Sequence, residues 1–282
     1  MAIMAIYASA METEMSDIPF AVTTPIRVAR VGLKARDAEG LATYYQDVIG
    51  LKEMARRENA IVLGAGDREL LEIEQSSAVR PDDPRSAGLY HTAFLLPSRG
   101  DLARWSRQAI DRHLPIAGAS DHLVSEAIYL TDPEGNGIEI YADRPHESWQ
   151  WNGPKIAMTT ERLDVAGLLS ELEGSKRTWD GAPENTVIGH VHLRVGNAAE
   201  AESWWHGAVG FDTVQTYGDR AVFLSSGGYH HHIAANSWQS PCAGKRERDR
   251  AGLAWVELED TRGGKSKSLE DPWGTVIRTV AA

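Results

Sequence analysis

The chain has 282 residues, 42% hydrophobic and 24% charged, with a formal net charge of −11 and a single cysteine, Cys242. That balance is of an ordinary soluble globular protein of about two domains; its negative sign argues against nucleic-acid or anionic-membrane partners, whose phosphates would repel it. One cysteine excludes an intramolecular disulfide and any cysteine-based zinc cluster, and a reducing cytoplasm is the expected setting. No apolar run approaches the roughly 18 residues of a membrane span. The opening MAIMAIYASAMETEMSDIP has no basic start and carries Glu12, Glu14 and Asp17, so it does not read as a secretory signal. Residues 1–20 are expected to be a loosely ordered tail.

An internal repeat follows. RVARVGLKARDAEGLATYYQDVIGL, from Arg27, matches VIGHVHLRVGNAAEAESWWHGAVGF, ending at Phe211, at an offset of 160. Tyr44 and Tyr45 fall on Trp204 and Trp205, and Gly50 falls on Gly210. Each copy reads as an alternating strand, an amphipathic helix with an aromatic pair, and a glycine stop. A second correspondence links GLYHTAFLLP (88–97) with GLAWVELED (252–260), and DPEGNGIEIY (132–141) with DPWGTVIRTV (271–280). Four modules result, near 26–76, 88–145, 186–239 and 251–282. The first three read as strand, helix and short strands; the fourth has TRGGKSKSLE in place of a helix and is shortened to strands. The expected division is an N-terminal domain over 21–145, a linker over 146–185, in which Trp149 and Trp151 seal a surface, and a C-terminal domain over 186–282. Within GGYHHHIAANSW (227–238), a regular strand would turn His230 and His232 to one face and His231 to the other.

GLYHTAFLLPSR, ASDHLVSEAIYLTDPEGNGIEIYADRP, VIGHVHLRV and GGYHHHI together resemble the vicinal oxygen chelate superfamily, which includes glyoxalase I, bleomycin-resistance proteins and extradiol dioxygenases. Nearly the whole chain is similar to its two-domain, catechol 2,3-dioxygenase-like branch. The resemblance implies an α+β fold of tandem βαβββ modules that form incomplete barrels around a metal, with ligands on the first and last strands of modules. First-strand positions are Arg30, His91, His190 and Trp255; last-strand positions are Glu72, Glu139, His232 and Arg278. Only modules two and three offer ligand-type residues at both, whereas Arg30 and Arg278 would repel a divalent cation. Pairing two with three, and one with four, therefore yields one complete site with His91, His190 and Glu139 as metal ligands. Modules meeting between subunits of a homo-oligomer would serve equally well.

Two imidazoles and one carboxylate suit iron(II) with open coordination positions; manganese, nickel or zinc are the other candidates. The resemblance further implies a proton-handling histidine in the YHHH run, with His232 the inward-facing choice and His230 beside it. It also implies Tyr129, ten residues before Glu139, and His122, which stands two positions from the family's spacing. The order departs from the family's, since the glutamate-bearing module here precedes its partner. Taken singly, these residues have ordinary readings: Glu139 on the solvent face of a strand, His91 in a core, Tyr129 as packing, His122 as a loop cap, and His192 outside the metal shell. Their shared placement at equivalent repeat positions favours an iron(II)-dependent extradiol dioxygenase acting on a catechol- or hydroquinone-type aromatic with dioxygen. The alternatives are a glyoxalase-like isomerase or thiol transferase, with His232 as fourth ligand, and a metal-free aromatic-binding resistance protein.

Overall fold

Side-chain caps and glycine stops delimit the helices in a computed structural model that describes residues 18–263 and 265–281; positions 1–17 of the expected tail lie outside them. Module one runs β1 (Ile26–Ala35), α1 (Ala38–Ile49), β2 (Lys52–Arg57), β3 (Ala60–Ala65) and β4 (Arg68–Gln75). Module two runs β5 (Gly88–Leu95), α2 (Arg99–Asp111), β6 (Gly118–Asp121), β7 (Ser125–Thr131) and β8 (Gly137–Asp143). The connecting stretch holds the short strands β9 (Trp151–Asn152), β10 (Lys155–Ile156) and β11 (Glu161–Arg162), then α3 (Val165–Ser170). Module three comprises β12 (Val187–Arg194), α4 (Ala198–Ala208), β13 (Asp212–Tyr217), β14 (Ala221–Ser225) and β15 (Ile233–Asn236). Module four is β16 (Gly252–Asp260), β17 (Lys267–Glu270) and β18 (Val276–Ala281), with no helix between its strands among the described residues.

Each long helix starts on a side-chain oxygen that accepts a backbone N–H: Asp37 from Gly40, Ser98 from Asp101, and Asn197 from Ala199 and Glu200. Gly50 (φ 81°) and Gly210 (φ 86°) follow α1 and α4 in the left-handed region that glycine adopts without a Cβ clash. Within the aligned aromatic pairs, Tyr45 and Trp205 are fully buried. They join Leu33, Phe94, Ile140 and Val256 in one large core that takes side chains from both sheets and from α1, α2 and α4. No described helix is long and apolar enough to cross a membrane.

The sheets interleave the two halves of the chain. One has the order β17-β18-β16-β1-β4-β3-β2, so module one joins module four. The other is β11-β6-β7-β8-β5-β12-β15-β14-β13, so module two joins module three. Antiparallel seams β1–β16 and β5–β12 make these joins. In the first sheet Arg30 stands at the repeat position that His190 holds in the second. Its guanidinium is bidentate on Glu257, at 2.8 and 3.1 Å, and also pairs with Glu69. Arg278 lies 4.1 Å from the centre of the Trp255 ring. Ion pairs and a cation–π stack thus fill this face.

The DPEGNG turn of module two locks onto module one. A Glu134 carboxylate oxygen accepts the backbone N–H of Arg36 and of Asp37, both at 2.8 Å, just ahead of α1. Buried Tyr45 donates to Asp132 Oδ2 at 3.1 Å, and the same carboxylate accepts from Glu134 N and from Asn136 N and Nδ2. Tyr45→Phe removes this buried hydrogen bond to a charged group while keeping the ring. It should lower unfolding free energy by about 1.5–3 kcal/mol in a denaturant titration; no change would show that the contact between modules one and two is not stabilising.

Candidate metal centre

Register brings three side chains to one point. Across the β5–β12 seam His190 faces Ala93, and across the parallel β5–β8 pair Ala93 faces Glu139. His91 lies two residues before Ala93 and therefore on the same face. The methyl group of Ala93 leaves the space above the middle strand open, and the flanking side chains close over it. His91 Nε2 is 3.0 Å from Glu139 Oε2, His190 Nε2 is 3.2 Å from the same oxygen, and the two nitrogens are 3.3 Å apart. Three bonds of about 2.1 Å at right angles place donor atoms about 3 Å apart, so these atoms fit one face of an octahedral cation.

All three residues are buried, with Glu139 2% exposed. Burial, opposed by the Glu139 carboxylate, holds the His190 pKa down to about 4, so at neutral pH His190 is a neutral imidazole, the form that ligates a metal. Behind it, His190 Nδ1 is 3.3 Å from Tyr141 Oη, which is 2.7 Å from Tyr229 Oη. A proton on His190 Nδ1 leaves Nε2 free for a cation, the arrangement by which outer hydrogen bonds orient ligating histidines.

The site opens into a cavity of about 550 Å³ lined by Tyr90, Phe223, Trp238 and Met158 together with the three ligand candidates. Tyr129 lines it as well, directly across from Glu139 in the β7–β8 register. Tyr129 Oη is 2.6 Å from His122 Nε2, and His122 Nδ1 is 2.6 Å from the carbonyl of Thr159. Because a carbonyl only accepts, His122 Nδ1 carries the proton and Tyr129 donates to Nε2. Burial foremost, then the Glu139 charge, raises the Tyr129 pKa well above its usual value, so it stays a phenol. The His122–Tyr129 pair is thus brought together at the centre despite its shifted spacing.

The histidine triplet departs from the expected alternation. β14 ends at Ser225 and β15 starts at Ile233, so residues 226–232 form a loop, which reverses through Gly227 (φ 66°) and Gly228 (φ 81°). His231, rather than His232, reaches the cavity, its ring centre 4.1 Å from that of His190. His232 turns the other way: Nε2 lies 3.0 Å from Thr24 Oγ1 and 3.1 Å from the Ala21 carbonyl, and the ring stacks on Phe211. His230 is buried behind His231. The placement of His232 as the inward-facing residue is therefore corrected by one position, because a glycine turn and not a strand carries the triplet. His192, expected outside the metal shell, also lines the cavity beside Tyr90 and Trp238, and its Nε2 accepts from Asn236 Nδ2 at 2.9 Å. Period-two alternation from His190 was the signal for it. A separate cleft of about 620 Å³, bordered by Trp151, Glu202 and His206, contains none of the expected site residues.

Residues 27–140, which include His91 and Glu139, match the model of the Glyoxalase/Bleomycin resistance protein/Dioxygenase superfamily. A catechol-2,3-dioxygenase of Bacillus subtilis is 41% identical over 230 residues, which is 80% of this chain and 80% of that protein. The chain belongs to this superfamily. Biphenyl-2,3-diol 1,2-dioxygenase 3 of Rhodococcus globerulus is 27% identical over 45% of the chain and 70% of its own length. The crystal structure of glyoxalase I from Zea mays superposes with a TM-score of 0.54 at 14% identity, covering 93% of this chain and 94% of that one, a likeness of fold alone. The curled sheets of paired modules are thus the superfamily's vicinal oxygen chelate architecture.

Gly189, one residue before His190, keeps the supporting tyrosine in place. A Cβ there would lie 1.7 Å from Tyr141 Oη. Gly189→Ala should cost about 1–3 kcal/mol by overpacking and, by displacing the hydroxyl behind His190, weaken retention of an added divalent metal. Unchanged stability and metal retention would show that Tyr141 does not support His190.

Proposed function

We propose that the protein is an iron(II)-dependent extradiol dioxygenase that opens a catechol- or hydroquinone-type ring with dioxygen. The observation that carries this reading is the convergence of His91, Glu139 and His190 on one point of an aromatic-lined cavity, in a chain 41% identical to a catechol-2,3-dioxygenase. These three residues would hold the metal, with iron(II) favoured over manganese, nickel or zinc. When bound, an iron(II) with two imidazole ligands and one carboxylate ligand supplies open coordination positions and the redox capacity that ring cleavage requires.

The remaining work falls to side chains. His231, the one residue of the triplet that lines the cavity, is positioned there as an unprotonated imidazole to take a proton from a diol hydroxyl. Tyr129, kept protonated and held by His122, donates its single O–H to Nε2 of that ring, so toward a substrate its oxygen can accept a hydrogen bond from a hydroxyl. Tyr90, Phe223 and Trp238 present flat faces to an aromatic ring. Ligand candidates come from modules two and three, and cavity walls from these modules and the connecting stretch, all of a single chain, so one chain supplies the site whether or not it forms a homo-oligomer. With a lone cysteine and net charge −11, we place the enzyme in the cytoplasm, with no nucleic-acid or membrane partner.

Anaerobically purified protein loaded with iron(II) should bind one metal per chain and consume dioxygen when a catechol is added. Single replacements of His91, Glu139 or His190 by Ala should abolish metal retention with circular dichroism unchanged. If metal loading survives all three, the site is wrong; if metal binds but no catechol drives oxygen uptake, the dioxygenase reading fails.

The loop histidines separate further. His231→Ala should keep its iron and slow turnover by about 10²–10⁴-fold, the usual range for a positioned proton-transfer group. His232→Ala should alter stability and leave turnover within a few-fold of the parent. Loss of metal in His231→Ala would instead make it a fourth ligand and favour the glyoxalase-like reading.

A further inference from the structure

Asp143 closes β8 four residues after Glu139, and its side chain is 15% exposed. Its Oδ1 lies 2.9 Å from Nε2 of His230. His230 is fully buried between Tyr229 and Trp149, with ring centres 4.1 and 5.2 Å away. Nδ1 of His230 lies 2.8 Å from Nδ1 of His231. The three residues form an unbroken line from the rim of the fold to the cavity.

Hydrogen-bond bookkeeping assigns the protons along that line. An ionised carboxylate only accepts, so His230 must donate from Nε2. A neutral imidazole protonated there offers Nδ1 as an acceptor. His231 then donates from its own Nδ1, which leaves the lone pair on Nε2. Among the described residues no protein group bonds that nitrogen, and the ring lines the cavity beside His190.

We propose that Asp143, acting through His230, fixes the tautomer and orientation of His231 so that its Nε2 lone pair is turned to the cavity as a base. Asp143 and His230 are positioning residues; His231 is the group that meets the substrate. In the proton transfer the O–H bond of a diol breaks, its electron pair stays on oxygen, and the proton forms a bond to His231 Nε2. The Nδ1–H of the resulting imidazolium remains bonded to His230, and the Asp143 carboxylate behind it offsets the new positive charge. The logic is that of a carboxylate–histidine pair holding a base in one tautomer, with a second imidazole inserted between them. The identity of the proton donor rests on the dioxygenase reading; the tautomer assignment does not.

Two measurements test the relay. Long-range ¹H–¹⁵N spectra of histidine-labelled, metal-free protein, assigned with His230→Gln and His231→Gln, should show His231 protonated on Nδ1 and His230 on Nε2. In Asp143→Leu the preference of His231 should disappear. Catechol-driven oxygen uptake by iron-loaded Asp143→Leu should fall about 10–10²-fold in kcat with KM within about threefold of the parent, a smaller loss than deletion of the base itself. In a His231→Ala background the same change should add nothing, because residues that act through one another are not additive. A His231 protonated on Nε2, or an imidazolium at His230, in the parent protein overturns the proposal even if the variant does not fold. Losses that multiply in the double variant overturn it too. If the tautomers are as assigned but no catechol drives oxygen uptake, the relay stands and the dioxygenase reading falls.

Discussion

Antiparallel pairing of β5 with β12 is the constraint on which the candidate centre depends. It sets His190 opposite Ala93 while the parallel β8 sets Glu139 on the other side of the same residue. Backbone hydrogen bonds hold these strands at fixed spacing, so three side chains too far apart to meet in the plane of the sheet converge above a methyl group. A one-residue slip of either pairing would turn a ligand candidate to the opposite face. The hydrophobic pattern resists such a slip, since Phe94, Ile138, Ile140 and Val191 enter the large core from the other faces of these strands.

The two sheets show how one scaffold serves two ends. Repeat-equivalent positions hold Arg30 in one and His190 in the other. In the first, a permanent guanidinium charge is satisfied by Glu257 and Glu69, and a further ion pair joins Arg57 to Glu69. In the second, a buried carboxylate sits between imidazoles, and burial keeps His190 neutral. A bound cation would supply the charge that such a carboxylate calls for. The difference lies in the side chains, not in the backbone arrangement that carries them.

Outside the three ligand candidates, the surrounding polar groups are ordered by hydrogen bonds in which one partner can only accept. The Thr159 carbonyl orders His122 and through it Tyr129, and the Asp143 carboxylate orders His230 and through it His231. Both lines end at the cavity. Burial raises the Tyr129 pKa and depresses that of His231 well below its usual value, which leaves a phenol bonded to His122 on one wall and an unprotonated imidazole on another.

The sequence by itself determined the repeat, its strand–helix units, their glycine stops, and the candidates His91, Glu139 and His190. Periodicity and spacing are local properties of a chain, and equivalent positions in a repeat share a place in the fold. The same offset that aligns Arg30 with His190 marks modules two and three as the pair able to form a centre. His231 against His232 was decided only by the tertiary structure. Alternation requires a regular strand, and Gly227 and Gly228 reverse the backbone before β15 begins, so parity along the triplet carries no facing information. The support of Tyr141 behind His190 and the line from Asp143 to His231 likewise depend on contacts between residues far apart in the chain. Such contacts are set by packing two modules together, and no local pattern encodes them.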